Sequence, residues 1–209
     1  MRFPSRLADM RIVAGSYRGL RLKTLRGEAL RPTSDQMRET LFDILGTWIR
    51  GARFLDLYAG SGAVGIEALS RGASEAVFVE RRRSAAETIR KNLLALGIRS
   101  GFRVMPSGAE TAISRLAEEG ARFDFLFLDP PYAEIREYHT TLRDCSRSGI
   151  LAHEAVVIAE HSRHGQLEES YGALVRFRLL RHGDSQFGFY RSEKSQRYTA
   201  NAAPQIPSL

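Results

Sequence analysis

The 209-residue sequence contains one cysteine, Cys145, and one tryptophan, Trp48. A lone cysteine excludes an internal disulfide framework and suits a reducing compartment. Apart from Arg143 and Arg147, Cys145 has no flanking His or basic residue to activate a thiolate, so it reads as incidental. The five histidines show no metal-ligand spacing, His161 and His164 being too isolated to form a site, so no metal is expected. No apolar run approaches the roughly 20 residues that a membrane helix needs. Met1-Arg2-Phe3-Pro4-Ser5 lacks the apolar stretch of a signal peptide, and no internal repeat is present. These absences exclude a secreted disulfide scaffold and a membrane-spanning protein, and a cytoplasmic location is expected.

What is present is ordinary for a globular chain: 43% hydrophobic and 26% charged residues, enough for one large domain or one domain with an appendage. The net charge of +7 is unevenly placed. Residues 1–31 hold eight Lys and Arg against two acids, and the segment from Arg191 onward holds three against one. The stretch between is therefore close to neutral. A basic face concentrated in one short piece is what a polyanion-binding arm looks like, with a merely soluble basic arm as the competitor. The expected organisation is a basic β-hairpin arm over 1–31, a main domain over 32–191 and a disordered polar tail over 192–209.

The arm reads as strand Arg11-Ile12-Val13-Ala14, turn Gly15 to Gly19, and strand Leu20 to Leu25 with alternating apolar and basic residues. Arg11, Tyr17, Arg18, Arg21 and Lys23 are its candidate RNA contacts. A helix then opens near Thr33, which has capping-box spacing to Gln36, and Met37, Leu41, Ile44, Leu45 and Trp48 form its apolar stripe. Arg31 and Arg38 flank that helix start, where an anion is favoured. Arg31 and Thr33 are assigned to the cofactor and Arg38 to RNA, with simple capping as the alternative.

Strand Arg53 to Leu57 carries Asp56 and leads into Tyr58-Ala59-Gly60-Ser61-Gly62-Ala63-Val64-Gly65, a G-x-G-x-x-G loop before a helix. Glu80 follows about 20 residues on, ending the next strand, where it would accept from two ribose hydroxyls. That pattern suits NAD equally, and a dehydrogenase is one alternative. Asp56 argues against a pyrophosphate there and for a cationic ligand. Further on come a helix from Ser84 to Leu96, a strand over Phe102-Met105, and a Ser107/Glu110 capping box opening a helix at which Ser107, Gly108 and Ala109 would meet an adenine.

Phe123-Asp124-Phe125-Leu126-Phe127-Leu128 is a buried parallel strand by its continuous apolar run, closed by Asp129-Pro130-Pro131-Tyr132. Ligands of open α/β sheets lie at such carboxyl ends. The tetrapeptide suits methylation of an exocyclic amine on a base. Such an amine is a poor nucleophile because its lone pair is delocalised into the ring. Two acceptors, the Asp129 carboxylate and the Pro130 carbonyl, would turn that lone pair toward an electrophile, and the prolines fix the carbonyl by locking φ. Tyr132 offers a stacking face. The plain alternative is an Asp-initiated turn. A helix from Ala133 to Ser146, a strand Glu154 to Glu160, and a hairpin of Leu174-Leu180 and Ser185-Tyr190 complete the domain.

In this order, Arg11-Ile12-Val13-Ala14-Gly15, Arg31-Pro32-Thr33, Arg38-Glu39-Thr40-Leu41-Phe42, Asp56-Leu57-Tyr58-Ala59-Gly60-Ser61-Gly62, Glu67-Ala68-Leu69-Ser70-Arg71-Gly72 and Asp129-Pro130-Pro131-Tyr132 resemble the RsmD family of 16S ribosomal RNA guanine-N2 methyltransferases, within the class I S-adenosylmethionine-dependent methyltransferases. The resemblance runs from about Arg11 to Tyr190. It implies an α/β Rossmann-like domain with a mostly parallel seven-stranded sheet and a C-terminal antiparallel hairpin. It implies S-adenosylmethionine as cofactor, held by Asp56, Tyr58, Gly60, Ser61, Gly62 and Glu80. The substrate it implies is 16S rRNA within a partly assembled 30S subunit, with Asp129 to Tyr132 as the amine site. Relatives often place Asp or Asn where Gly108 stands here, so either Ser107 or backbone atoms serve the adenine, or its recognition is weaker. An N6-adenine methyltransferase and a non-catalytic RNA-binding assembly factor are the alternatives. No surface stripe demands a dimer, and a monomer is expected.

Overall fold

The computed structural model describes residues 10–24, 34–131 and 134–193. Arg31, Thr33 and Tyr132, to which the sequence assigns roles, and all of the tail from Lys194 onward lie outside the described residues.

Two strands, β1 (Met10–Arg11) and β2 (Arg21–Leu22), pair antiparallel. They are shorter than the sequence reading, because residues 13–17 leave the pairing to bond α2 (Ala63–Ser70) instead. Glu67 is 0% exposed, and its two carboxylate oxygens accept from Val13 N (2.8 Å) and Ala14 N (2.9 Å). Ser16 N donates to the Ser70 carbonyl and Tyr17 N to Ser70 Oγ. Gly15, at φ 83°, lies so close to Ser70 that any Cβ would overlap its carbonyl. Met10, Ile12 and Leu22 share one apolar cluster with the sheet. The basic hairpin is therefore docked on the main body.

Helix α1 (Asp35–Leu45) is capped by Ser34, whose Oγ accepts from Met37 N at 3.1 Å, so Ser34 and not Thr33 is the N-cap. Met37, Leu41, Ile44 and Leu45 are buried as their spacing predicts. Trp48 is not, at 47% exposure. The helix stops at Gly46 (φ 55°) and a 3₁₀ turn, Gly46–Ile49, rotates Trp48 outward and Ile49 inward.

The main sheet is built from β3 (Arg53–Asp56), β4 (Glu75–Val79), β5 (Phe102–Met105), β6 (Phe123–Leu128), β7 (Leu151–Ser162), β8 (Ser170–Tyr171), β9 (Leu174–His182) and β10 (Ser185–Ser192). Their spatial order is β5-β4-β3-β6-β7-β10-β9-β8. The first five are parallel and β10, β9 and β8 are antiparallel, so a two-residue edge strand joins the expected seven. Helices α3 (Arg83–Ala95), α4 (Ala109–Glu118) and α5 (Ile135–Arg147) make the remaining crossovers.

Side chains alternate across the strands. Phe54, Phe78, Phe125, Phe127, Val156 and Ile158 face α1, α2, α3 and the hairpin. Leu55, Val77, Leu126, Leu128, Val157 and Ala159 face α4 and α5. Cys145 is fully buried on α5, and burial pushes its thiol well above its usual range, which keeps it inert. Among the described residues, no helix is long and apolar enough to cross a membrane.

Candidate active site

The strand order reverses between β3 and β6: chain progression runs outward through β4 and β5 on one side and through β7 on the other. In an open α/β sheet the crevice at the carboxyl ends of such a reversal is where ligands bind. Two of the sequence-predicted stretches flank it. Leu57 N donates to the Phe127 carbonyl, and Asp56 pairs in register with Phe127. Asp129 thus emerges beside Tyr58, two residues before Gly60.

Asp56 ends β3 at 1% exposure. Its Oδ2 accepts from Gly65 N at 3.2 Å, and Oδ1 has no partner. Burial pushes its carboxyl up to about 7, against the lowering effect of backbone bonds from Gly65 and Tyr58. A buried acid with one open acceptor is poised to take a cationic or N–H ligand, which would draw it back to the charged form.

The glycine loop uses its two leading glycines differently. Gly60, at φ 51°, meets nothing within 4 Å where a Cβ would stand. Gly62, at φ 85°, is packed against Ile89 and Ile66. Gly65 lets α2 press on Phe78, whose ring lies 2.3 Å from where its Cβ would be. Gly60 N donates to Glu80 Oε2 at 2.9 Å, and Arg82 N donates to Oε1 at 2.8 Å. Glu80 thereby ties the ends of β3 and β4 together. A carboxylate has about four acceptor positions, so it keeps capacity for a further donor.

Two loop residues point elsewhere than the sequence suggests. Ser61 Oγ donates to Met10 Sδ, and its carbonyl accepts from Asn92 Nδ2. Its side chain faces the hairpin, so only its remaining backbone N–H is left for a cofactor. The Tyr58 hydroxyl bonds Thr141 Oγ1 at 2.6 Å on α5, which makes the ring a strut between loop and helix. Arg38 is corrected as well. It is 1% exposed, and Nη2 donates to the Arg11 carbonyl (2.7 Å) and Asp35 Oδ1 (2.6 Å), so it braces the hairpin and cannot reach RNA.

At β5, Gly108 is the N-cap of α4 and Ser107 makes no capping bond. Ser107 Oγ is buried without a partner. It borders a cleft of about 340 Å³ lined by Arg103, Val104, Met105, Pro106, Thr111 and Arg115. Gly108 also faces open space. The residue type that departs from the family pattern thus leaves both room and a polar atom for an adenine edge. Ala109 opens α4 and is buried in the apolar cluster.

Asp129 is half-buried. Its carboxyl is held well above the usual range, first by burial and then by the charges of Glu160 and Asp56. The Pro130 carbonyl accepts from the Tyr138 hydroxyl at 3.0 Å, and that hydroxyl also reaches the Glu160 carbonyl at 2.7 Å. One hydroxyl proton serves two carbonyls, so Pro130 keeps a lone pair for another donor. The Pro131 carbonyl is taken by Glu134 N. Glu160 and Tyr138 were not among the sequence candidates. Glu160 could have been, as the acid that ends the sequence-predicted strand Glu154 to Glu160, although β7 runs on to Ser162. Tyr138 gave no signal, because its role depends on α5 crossing behind the loop.

The site fits S-adenosylmethionine on the chemistry of its own atoms: an open acceptor at Asp56, a backbone approach at Gly60, an acid at Glu80 and an unmade bond at Ser107. Among the described residues no group of His, Cys, Asp or Glu could hold a metal ion. An open α/β sheet reversing at a glycine loop, with acids closing β3, β4 and β6, defines a class I S-adenosylmethionine-dependent methyltransferase. The chain belongs to the family described as Conserved hypothetical protein 95, whose model matches residues 10–191, and which is the RsmD family. It is 40% identical over 154 residues to ribosomal RNA small subunit methyltransferase D of Escherichia coli (strain K12), covering 73% of this chain and 74% of that one. It is 37% identical over 182 residues to YlbH of Bacillus subtilis (strain 168), covering 87% and 98%. The solved structure of yhhF from Escherichia coli superposes with a TM-score of 0.78 at 30% identity, covering 88% and 98%.

Proposed function

We propose that this protein transfers the methyl group of S-adenosylmethionine to the exocyclic N2 of a guanine in 16S ribosomal RNA. The RNA is presented within a partly assembled 30S subunit, and the protein acts as a cytoplasmic monomer. The observation that carries the reading is the pairing of Asp129 and the Pro130 carbonyl with the glycine loop across the sheet reversal. The name of the Escherichia coli relative supports rRNA as the substrate.

When bound, the cofactor supplies a methyl group on a positively charged sulfur. The protein's part is to aim the amine. One N–H of N2 donates to Asp129 and the other to the Pro130 carbonyl, so the nitrogen lone pair turns toward the methyl carbon. Holding both reactants in line supplies most of the rate. Held by Asp56, Gly60 and Glu80, the cofactor would supply the methyl carbon, its C–S bonding electrons staying on sulfur as the N–C bond formed. The methylated nitrogen then sheds a proton, which Asp129, already held above its usual range, is placed to receive. The base leaves its stack to reach the crevice.

Arg18, Arg21 and Lys23 of the docked hairpin are all exposed. Lys23 N donates to Asn92 Oδ1, and Asn92 in turn holds the Ser61 carbonyl, so the hairpin and glycine loop share one anchor. Reversing these three charges to Glu is expected to weaken binding of 16S rRNA. It also flattens the log–log salt dependence by about 0.7 for each phosphate that the arm no longer neutralises. An unchanged slope in filter binding at several salt concentrations would remove the hairpin from the RNA path.

The test of the function is mass spectrometry of rRNA from cells lacking the gene. One missing N2-methylguanosine, restored by the purified protein, is the expected result. A missing N6-methyladenosine would replace it with the adenine reading, and no missing methyl group with a purely RNA-binding role.

A further inference from the structure

Past the amine site the sheet continues as an antiparallel wing of β10 and β9, and a chain of contacts ties that wing to the tetrapeptide. The Tyr138 hydroxyl bonds the Pro130 and Glu160 carbonyls, and its ring lies edge-on to His161 at 6.1 Å. His161 Nδ1 bonds the Gly165 carbonyl at 3.0 Å. A Cβ on Gly165 would stand 3.4 Å from Ile135, so the loop after β7 packs on the first turn of α5. Arg163 N donates to the Asp184 carbonyl, which joins this loop to the β9–β10 turn. In register, Arg181 pairs with Gln186 and Gln186 with His161, so Arg181 shares the sheet face of His161 and α5. Arg163 lies 3.4 Å from Asp184 and the two charges cancel. Arg181 and Arg136 are exposed, and neither has an acid in ion-pair reach among the described residues. Arg136 sits on the side of α5 that faces the wing: one turn on, His139 bonds Tyr171, and one turn further Arg143 bonds Glu168. The acids beside Arg136 are engaged elsewhere, Glu134 with Arg81 at 3.6 Å and Glu137 with Glu134.

We infer that Arg136 and Arg181 form a second contact for the RNA backbone, on the tetrapeptide wall of the crevice. The inference rests on the RNA-methylation reading above and deepens it by naming where the substrate strand is held beyond the hairpin. A base that leaves its stack draws the phosphates on both its flanks toward the site. Phosphate contacts set the register of a strand, and a strand held on one flank alone can pivot. The hairpin is anchored to the glycine-loop wall through Asn92 and the Ser61 carbonyl. The wing is anchored to the other wall through Tyr138 and His161. In the order β6-β7-β10-β9, Arg181 stands three strands from Asp129. At about 4.8 Å per strand that is roughly 14 Å, within reach of the next few nucleotides. Arginine's planar fork suits a phosphate. Edge strands also carry cations merely to discourage pairing, and β9 is an edge beyond Val175, where β8 stops. Arg136 is on a helix and has no edge to protect, so edge protection does not account for both.

The test uses the full chain and filter binding of 16S rRNA at several salt concentrations. Arg136→Glu with Arg181→Glu is expected to weaken binding by about tenfold or more and to flatten the log–log salt slope by about 0.7 for each phosphate lost. S-adenosylmethionine affinity by calorimetry is expected to stay within about twofold, since neither residue touches the cofactor residues. Arg136→Gln with Arg181→Gln adds no acid and is expected to flatten the slope as well, which separates a lost contact from new repulsion. Combined with the reversal of Arg18, Arg21 and Lys23, the two slope changes are expected to add, because the two surfaces meet different phosphates. An unchanged slope in the Gln pair overturns the inference and leaves Arg181 an edge-protecting charge. A combined change no larger than that of the hairpin alone also overturns it. A wild-type protein that neither binds nor methylates 16S rRNA would instead sink the functional reading, and this inference with it.

Discussion

Asp129→Ala is expected to lower kcat/KM for rRNA methylation by about 10³-fold or more, while S-adenosylmethionine still binds with near wild-type affinity. In the proposed mechanism the carboxylate is one of two acceptors that aim the amine, and the residues proposed to hold the cofactor lie at the ends of β3, β4 and β5. The same substitution should not cost stability. Asp129 is raised by burial, by Glu160 and by Asp56. A carboxyl whose pKa is higher folded than unfolded contributes stability only while protonated, and that contribution is lost as pH rises through its folded value. Near neutral pH and above, removing it therefore relieves repulsion, and Tm should hold or rise. Loss of activity together with a stable, cofactor-binding protein separates a chemical role from a structural one. Turnover retained within tenfold would end the assignment of Asp129.

Glu67→Ala is expected to destabilise the protein by about 3–5 kcal/mol, the usual result of removing one member of a buried, hydrogen-bonded charge pair. Glu67 is 0% exposed and accepts from Val13 N, Ala14 N and Arg71 Nε. Its loss strands two backbone donors and leaves the Arg71 guanidinium, only 14% exposed, with Asp43 as its remaining acid partner. At about 2–4 °C per kcal/mol for a domain of this size, Tm should fall by roughly 6–20 °C. The hairpin should become the first site of proteolysis, since these are the bonds that hold it down. Glu67→Gln, which keeps one carbonyl acceptor, should lose less. A Glu67→Ala protein melting within about 2 °C of wild type, less than a single kcal/mol would shift it, would show that the hairpin docks through its apolar residues alone.

The two substitutions act on features of unequal visibility in the sequence. Phe123 to Leu128 declares itself as a buried strand, and Asp129-Pro130-Pro131 declares its end, because continuous apolar runs and prolines carry local meaning. The glycine loop and Glu80 are legible for the same reason: each is a short-range pattern tied to backbone geometry. Glu67 is different. On its helix it looks like any surface acid, and only the path of residues 13–17 makes it a buried acceptor. Arg38 misleads in the opposite direction, since a cation near a helix start suggests an anion site until Asp35 and the Arg11 carbonyl are seen around it. Ser34 outcompetes Thr33 as cap, and Trp48 swings outward, because helix ends turn on one dihedral at Ser34 and at Gly46.

By itself the sequence determined the class of fold, the succession of strands and helices along the chain and the chemistry of the residues at the crevice, since periodicity, turn residues and strand-end acids are written in short windows. Only the tertiary structure decided which acids meet. Asp56, Asp129 and Glu160 are separated by 73 and 31 positions along the chain. They become neighbours through the parallel register of β3, β6 and β7, a property of backbone hydrogen bonds between strands that no local pattern encodes.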